Sequence, residues 1–324
     1  MSLENTRDIF INAIAHYLPE ERVPNDYFKK INGLDDQWIF SRTGIRARSK
    51  ASQRENTNTM AVEAVKRLQE QGAALENVDL IVTGTYSPHD TVFTASHAVQ
   101  RAFHLPDARA LTVSSACSSF INALEIAETY IRAGKASTAI AIASEHNTAY
   151  SRESCPQSGH LWGDGAVAAI LSATPPSPPL ARLSSLYTRG LGHVGKADSA
   201  VHLRPCLEGI SMPGGRDVFL NACHYMIEAL ERVTANAGKQ ITDLKFIAPH
   251  QANQRIIAAI ARQLALPDAV MLSDIEKLGN TGCPGCAIAL SRALSLSRVS
   301  PGDLVALTVF GGGYSCGAAL LEFL

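Results

Sequence analysis

Three residues in this chain could do chemistry together: Cys117 in TVSSACSSFINAL, His250 in FIAPHQANQRI and Asn280 in KLGNTGCPG. A thiol becomes a nucleophile when it ionises. The start of a helix, with its unpaired N–H groups and positive dipole end, favours the thiolate. ALTV reads as a strand ending near Ser114. Phe120, Ile121, Leu124, Ala127 and Ile131 follow at helical spacing, so a helix is predicted to start close to Cys117. The neighbours Ser114, Ser115, Ala116, Ser118 and Ser119 are small and leave room for a substrate. A cysteine can also be a small buried hydrophobe, and a single histidine a satisfied polar group. His250, however, lies just past a strand and before a helix, and Asn280 sits in a glycine-bracketed loop. Ligand sites in open α/β sheets lie at such strand ends, and three convergent residues there favour a chemical role. The order Cys, His, Asn also describes papain-like hydrolases, but their local CGSCW-type signature is missing.

The elements that must position these residues occur twice. HLPDA at 104–108 and ALPDA at 265–269 place Leu105 and Leu266 161 residues apart, about half the chain. Before the first copy come TMAVEAVKRLQEQG, DLIVTG and TASHAVQRAF; before the second come HYMIEALERVTANAG, DLKFIAPH and QRIIAAIARQL. After the first, CSSFINALEIAETYIRAGKA leads to TAIAIAS. After the second, CAIALSRALSLSRVSPGD leads to LVALTVF. Each half ends in a glycine turn and an apolar run, GDGAVAAILSA and GGGYSCGAALLEFL. This alternation predicts an α/β architecture with mostly parallel strands, in two pseudo-symmetric halves carrying one sheet each. TPPSPPL at 174–180, with four prolines, sets the boundary between 1–174 and 175–324. Positions 185–220 read as loops.

The bulk properties agree. The chain has 324 residues, is 46% hydrophobic and 18% charged, and has a net charge of −1. That balance gives no electrostatic case for a nucleic-acid or membrane partner. No apolar run approaches the ~20 residues of a membrane span, and MSLENTRDIF does not read as a secretory signal. Seven cysteines in a long chain argue for reduced thiols and a cytoplasmic location.

With these motifs assembled, the chain resembles β-ketoacyl-(acyl carrier protein) synthase III, a condensing enzyme of the thiolase fold. The resemblance runs from about Ile11 to the C-terminus. It rests on WIFSRTGIRAR at 38–48, SSACSSF around Cys117, GDGA at 163–166, PHQANQRI at 249–256, GNTG at 279–282 and FGGGYSCGAAL at 310–320. It implies the layered α/β/α/β/α thiolase architecture, a homodimer, and decarboxylative condensation of an acyl thioester with malonyl-acyl carrier protein. Residue by residue, it implies that Cys117 carries the acyl group and that His250 and Asn280 hold the carbonyl of the malonyl thioester and stabilise its enolate. Gly312 and Cys117 are implied to supply the backbone N–H groups of the oxyanion hole, with Phe310 beside the turn and expected to line the site. Trp38 matches an aromatic that stacks on coenzyme A adenine, and Arg42 a neighbouring contact. Arg255 matches a basic residue at the mouth of the site. Arg262 follows it on roughly the same helix face, and both are expected to meet the acidic carrier protein. No tightly bound cofactor is implied; a coenzyme A thioester is the expected substrate.

The sequence also departs from that pattern. An arginine that clamps adenine is expected about seven residues before GDG. Pro156 stands there, with Arg152 the nearest arginine, so the acyl donor could instead be a carrier protein. Val92 falls near a bulky aromatic that limits the acyl tunnel across the dimer, and Trp162 stands where phenylalanine is frequent. One change widens the tunnel and the other narrows it. Cys283 and Cys286 form a CxxC with no further ligands at metal-site spacing, so no metal is expected and both read as packing residues. Asp164 reads as a turn residue. The alternative within the fold is an acyltransferase that passes the acyl group to a hydroxyl or amine without decarboxylation; filled His250 and Asn280 positions argue for condensation. A non-catalytic assembly subunit is disfavoured because all three catalytic positions are filled.

Overall fold

The computed structural model describes residues 7–174, 179–204 and 209–324. In chain order the N-terminal half contributes β1 (Phe10–Tyr17), β2 (Glu21–Pro24), α1 (Asp26–Asn32), α2 (Asp36–Thr43), β3 (Ala47–Lys50), α3 (Thr57–Glu70), β4 (Leu80–Gly84), α4 (Ala95–Ala102), β5 (Arg109–Val113), α5 (Ser119–Arg132), β6 (Thr138–Glu145), α6 (Asn147–Tyr150) and β7 (Gly165–Ser172). The C-terminal half contributes β8 (Ala181–Gly190), α7 (Gly215–Asn236), β9 (Phe246–Pro249), α8 (Gln254–Gln263), α9 (Ile275–Leu278), α10 (Gly285–Ser295), β10 (Leu304–Gly311) and β11 (Ser315–Phe323).

The duplicated pattern is visible in the strand ladders. β4 runs parallel to β5 and β6, while β6–β7 and β7–β1 are antiparallel. In the second half β9 runs parallel to β10, and β10–β11 and β11–β8 are antiparallel. Where the first half has β5 beside β4, the second has only a single parallel bridge, Ile247 to Met271. The two sheets expected from the sequence meet edge to edge: β1 pairs with β8 through Phe10–Arg182 and Ile11–Ala181. Nine strands thus form one sheet, ordered β5-β4-β6-β7-β1-β8-β11-β10-β9.

Strand side chains alternate between two faces, and both faces here are apolar because helices cover both. Leu80, Val82, Ala139, Ala141 and Ala143 face a central core that they share with Val305, Leu307 and Val309. α5 and α10 fill that core: Phe120, Ile121, Leu124, Ala127 and Ile131 pack with Ala287, Ile288, Leu290 and Ala293. The opposite faces meet the outer helices. Ile81, Ile140 and Ile142 pack on α3 and α4, and Ala306 packs on α7 and α8. The result is the expected five layers.

β7 ends at Ser172 and β8 begins at Ala181, on either side of the predicted boundary. Part of that boundary, 175–178, lies outside the described residues. The reading of 185–220 as loops holds for the described residues of 191–214, where no helix or strand occurs, and is corrected at both ends. β8 continues to Gly190 against β11, and α7 starts at Gly215. SSLYTRG has no clean alternation because Leu186 and Tyr187 pack into different cores.

Candidate active site

Cys117 sits where the sequence placed it, between β5 and α5. The preceding Ala116 has φ +48°, left-handed backbone that a side chain bearing Cβ adopts at a cost. Short-range bonds hold this turn. The N–H groups of Ser118 and Ser119 donate to Ser115 O and Ala116 O, each at 3.1 Å. The Ser115 N–H donates to Ser119 Oγ at 2.8 Å, and that hydroxyl donates to Ala116 O at 2.6 Å. Ser118 Oγ donates to Ser315 O at 3.0 Å, tying the turn to the start of β11. Gly311 permits this approach: a Cβ there would lie 2.5 Å from Ser115 O and 2.8 Å from Ser118 Oγ.

The thiol opens onto a cavity of about 520 Å³, whose lining includes Tyr86, Trp162, His202, Gly312 and Tyr314. The predicted oxyanion pair, Cys117 and Gly312, is therefore brought together. The expectation of a thiolate is corrected. Burial, followed by the nearby Glu145 charge, pushes the Cys117 thiol up to about 12. The bond to Tyr86 and the local backbone N–H pull the other way but are outweighed. The free thiol is protonated at neutral pH.

Two residues of the site went unread in the sequence. Glu145, at the end of β6, is fully buried. Its carboxyl accepts from Thr85 Oγ1 at 3.1 Å, Tyr86 N at 3.2 Å, Ser87 N at 3.0 Å, Ser87 Oγ, and Cys283 Sγ at 2.8 Å. Burial raises this carboxyl to about 7, and those bonds hold it from rising further. Tyr86, on the same loop, donates to Asn147 Oδ1 at 2.7 Å and bonds the Cys117 thiol. The available signal was an acid closing an otherwise apolar strand, TAIAIASE.

His250 follows β9 and is buried; its backbone N–H donates to Thr308 O at 2.8 Å. Burial lowers its imidazole to about 4, opposed by a bond to the Gly282 backbone, so it is neutral at pH 7. Asn280 Oδ1 accepts from Gly282 N at 3.0 Å. Gly282 has φ +75°, and a Cβ on it would lie 2.5 Å from the Tyr86 hydroxyl. Gly282 therefore touches the His250 side and the Tyr86 side at once. Contacts run from Cys117 to Tyr86, from Tyr86 to Gly282, and from Gly282 to His250 and Asn280; His250 and Asn280 are not themselves among the residues lining the cavity.

Trp162 lines the cavity and is only 4% exposed. Its backbone bridges to Asn280, and Asn280 N donates to Leu161 O at 2.8 Å. This wall is braced by Arg48, a buried arginine that donates to His160 O at 2.6 Å and Val23 O at 3.1 Å and lies over Phe28 at 4.5 Å. Asp164 serves as a turn residue, accepting from Ala51 N at 2.8 Å and Thr148 N at 2.9 Å.

Other predicted contacts lie elsewhere. Phe310 is corrected as a lining residue: it stacks on Tyr225 at 6.3 Å and packs into the outer core. Val92 is 83% exposed and lines no part of the cavity in this chain. Trp38 and Arg42 also lie outside the cavity lining. They meet each other on α2, the guanidinium 4.3 Å from the ring centre. Arg255 donates to Ser41 O at 2.9 Å, which adds α8 to the same surface. Arg262 is exposed further along α8. Six described cysteines, Cys117, Cys155, Cys223, Cys283, Cys286 and Cys316, are unpaired, and Cys206 lies outside the described residues. Among the described residues no group of three or more His, Cys, Asp or Glu side chains could hold a metal, and no helix is long and apolar enough to cross a membrane.

Comparison with known proteins matches this geometry to a family. Residues 111–189 fit the family described as 3-oxoacyl-[acyl-carrier-protein (ACP)] synthase III, and residues 234–323 fit its C-terminal part. The β-ketoacyl-acyl carrier protein synthase III of Aquifex aeolicus is 33% identical, over 95% of this chain and 97% of that protein. The chain belongs to the synthase III family. The Rhizorhabdus wittichii synthase III is 32% identical, over 94% of this chain and 96% of that protein. The crystal structure of the A. aeolicus enzyme superposes with a TM-score of 0.90, covering 97% of this chain and all of that one. The priming β-ketosynthase of the R1128 polyketide pathway, at 28% identity, gives 0.88 and covers 99% of this chain and 98% of that one. The architecture is accordingly that of the thiolase-fold condensing enzymes; of the motifs quoted from the sequence, SSACSSF and FGGGYSCGAAL contribute residues to the cavity lining.

Proposed function

We propose that this synthase III transfers an acyl group from a thioester to Cys117 and condenses it with malonyl-acyl carrier protein, releasing carbon dioxide. The observation that carries the reading is a thiol on a strained helix-start turn, opening onto a cavity beside Gly312 and backed by a neutral His250 and by Asn280.

In the first step the Cys117 sulfur attacks the acyl carbonyl. A new C–S bond forms, the donor's C–S bond breaks, and the cysteine proton leaves on the departing thiol. A thiol held near 12 needs a proton acceptor, and neutral His250 is the nearby group able to take that proton in passing. The backbone N–H groups of Cys117 and Gly312 stabilise the oxyanion. In the second step malonyl loses carbon dioxide. The electron pair left behind is an enolate, whose oxygen His250 and Asn280 hold. The enolate carbon attacks the acyl-Cys117 carbonyl, a C–C bond forms, the acyl C–S bond breaks, and the released Cys117 thiolate takes up a proton from solvent.

The donor is the less ordinary part of this reading. Pro156 stands where an adenine-clamping arginine was expected, and the Arg42 guanidinium covers the Trp38 ring. These features support an acyl-carrier protein donor over coenzyme A, with Arg255 and Arg262 as its contacts. Function as a cytoplasmic homodimer fits the same reading, with Val92 facing the second subunit's tunnel. An acyltransferase lacking the decarboxylation step would use His250 for the same proton transfer but would form no enolate for His250 and Asn280 to hold together.

Intact mass after incubation with acyl-coenzyme A and acyl-carrier donors tests this. The expected result is an acyl adduct, absent from Cys117→Ala, that malonyl-acyl carrier protein discharges with release of carbon dioxide. An adduct indifferent to malonyl-carrier would favour the acyltransferase, and a clear preference for coenzyme A donors would remove the carrier-donor part.

A further inference from the structure

The condensation steps leave Tyr86 without a role, although its hydroxyl lies against the reacting sulfur. Tyr86 and Cys117 line the same cavity. The hydroxyl bonds the Cys117 thiol on one side and donates to Asn147 Oδ1 at 2.7 Å on the other. Asn147 is fully buried and is itself held, its Nδ2 donating to Gly163 O at 2.7 Å. The Tyr86 backbone N–H is fixed on the Glu145 carboxyl at 3.2 Å. Gly282 leaves the hydroxyl its place, since a Cβ there would lie 2.5 Å from it. Backbone and hydroxyl are thus set beside the sulfur before any substrate arrives.

A phenol oxygen has one hydrogen to donate and lone pairs to accept with. Beside a protonated thiol it can accept from S–H while its own hydrogen stays on Asn147. Beside an ionised sulfur that hydrogen has an anion to meet, and a charge-assisted bond is about twice as strong as a neutral one. The sulfur is negative at two points of the reaction: as it attacks the donor thioester, and as it departs when the enolate displaces it. Between them it is a thioester sulfur, a weak acceptor, so a donor placed here favours the charged moments over the ground states. Tyr86 is not the base. Burial, followed by the Cys117 and Glu145 charges, holds its hydroxyl well above the usual phenol range, so it keeps its proton and leaves proton removal to His250. Resting on the acyl-Cys117 reading, we infer that Tyr86 is a further catalytic residue, whose hydroxyl donates a hydrogen bond to the Cys117 sulfur while that sulfur is anionic, in attack and in departure. No bond to hydrogen breaks at Tyr86 in either step.

Tyr86→Phe keeps the ring and deletes the hydroxyl. Two rates at pH 8 test the assignment. One is alkylation of Cys117 by iodoacetamide, located by peptide mapping; the other is acylation by saturating hexanoyl N-acetylcysteamine thioester, read by intact mass with Cys117→Ala as the blank. Both reactions need the sulfur anion, and both are expected to fall about tenfold in Tyr86→Phe, with the donor concentration for half-maximal rate little changed. A hydroxyl that merely packs the turn would leave Cys117 more open when lost, so unchanged or faster alkylation overturns the inference. Unchanged acylation at saturating donor also overturns it, as does a loss confined to the half-maximal concentration, because the hydroxyl then binds substrate instead of stabilising sulfur. If native Cys117 takes an acyl group neither from this donor nor from an acyl-carrier donor, the condensation reading fails, and the alkylation rates alone then decide whether Tyr86 supports the thiolate.

Discussion

The molecule places a cysteine at the same point in each of its halves, and only one of them is a nucleophile candidate. Ser119 and Gly285 open α5 and α10, Thr138 and Leu304 open the strands that follow, and Cys117 and Cys283 precede the helices; each pair differs by 166 in number. Even the residue before each cysteine matches, Ala116 at φ +48° and Gly282 at +75°. Cys117 faces a cavity. Cys283 is 1% exposed, donates to Glu145 Oε1 at 2.8 Å and lies 3.4 Å from Gly84 O. Burial and Glu145 raise both thiols. The difference teaches that a helix start does not make a nucleophile; access to a cavity and an oxyanion pocket does.

The sharpest break of the comparison is removal of each thiol in turn. Cys117→Ala should abolish acylation, a loss of about 10³-fold or more. Cys283→Ala should leave the adduct forming, and peptide mapping after iodoacetamide should find native Cys117 modified and Cys283 untouched.

Next in size, Gly282→Ala puts a methyl 2.5 Å from the Tyr86 hydroxyl at a left-handed position. Condensation rate should fall about 10²-fold, because a small displacement of catalytic groups costs that much. Ala116→Gly at the equivalent position relieves strain, and thermal melting should show it stable to within about 1 kcal/mol.

The pH dependence of stability comes third. Burial lowers His16, His160 and His250 to about 4. Depressed histidines contribute stability that is present above their ordinary value of 6.5 and lost as pH falls toward 4. Melting temperature should therefore drop across that window, with net proton uptake on unfolding. His250→Gln should flatten part of the slope.

The smallest effect concerns the carboxylate between the two thiols. Glu145→Gln removes a charge that raises Cys117. The thiol should titrate lower, and iodoacetamide should alkylate it several-fold faster at pH 8. Glu145 is itself raised to about 7, so its contribution to stability is present below about 4.5 and lost as pH rises through 7. The variant should lack that decline.

Much of the frame was legible from residue spacing. The apolar face of α5 is the predicted set, and the strand order repeats as the duplicated pattern required. The register of the repeat was not. CPGC holds two cysteines three apart, and the sequence reading aligned Cys117 with Cys286, whereas the helix starts align it with Cys283. Glu145 escaped because its partners come from loops about 60 and 138 positions away, and no local pattern announces such a meeting. The thiol's protonation was misjudged for a related reason. The helix effect is local and readable, whereas burial and the Glu145 charge arise only when segments distant in sequence pack together.

The central core has a consequence for how the chain can be divided. α5 belongs to one half and α10 to the other, yet their apolar faces fill the same interior, and the strand ladder crosses from β1 to β8. Each half alone would present that interior to water. Cut after Thr174, the chain would yield two fragments that behave as obligate subunits of one another, recovering a working enzyme only by association and never as separate domains.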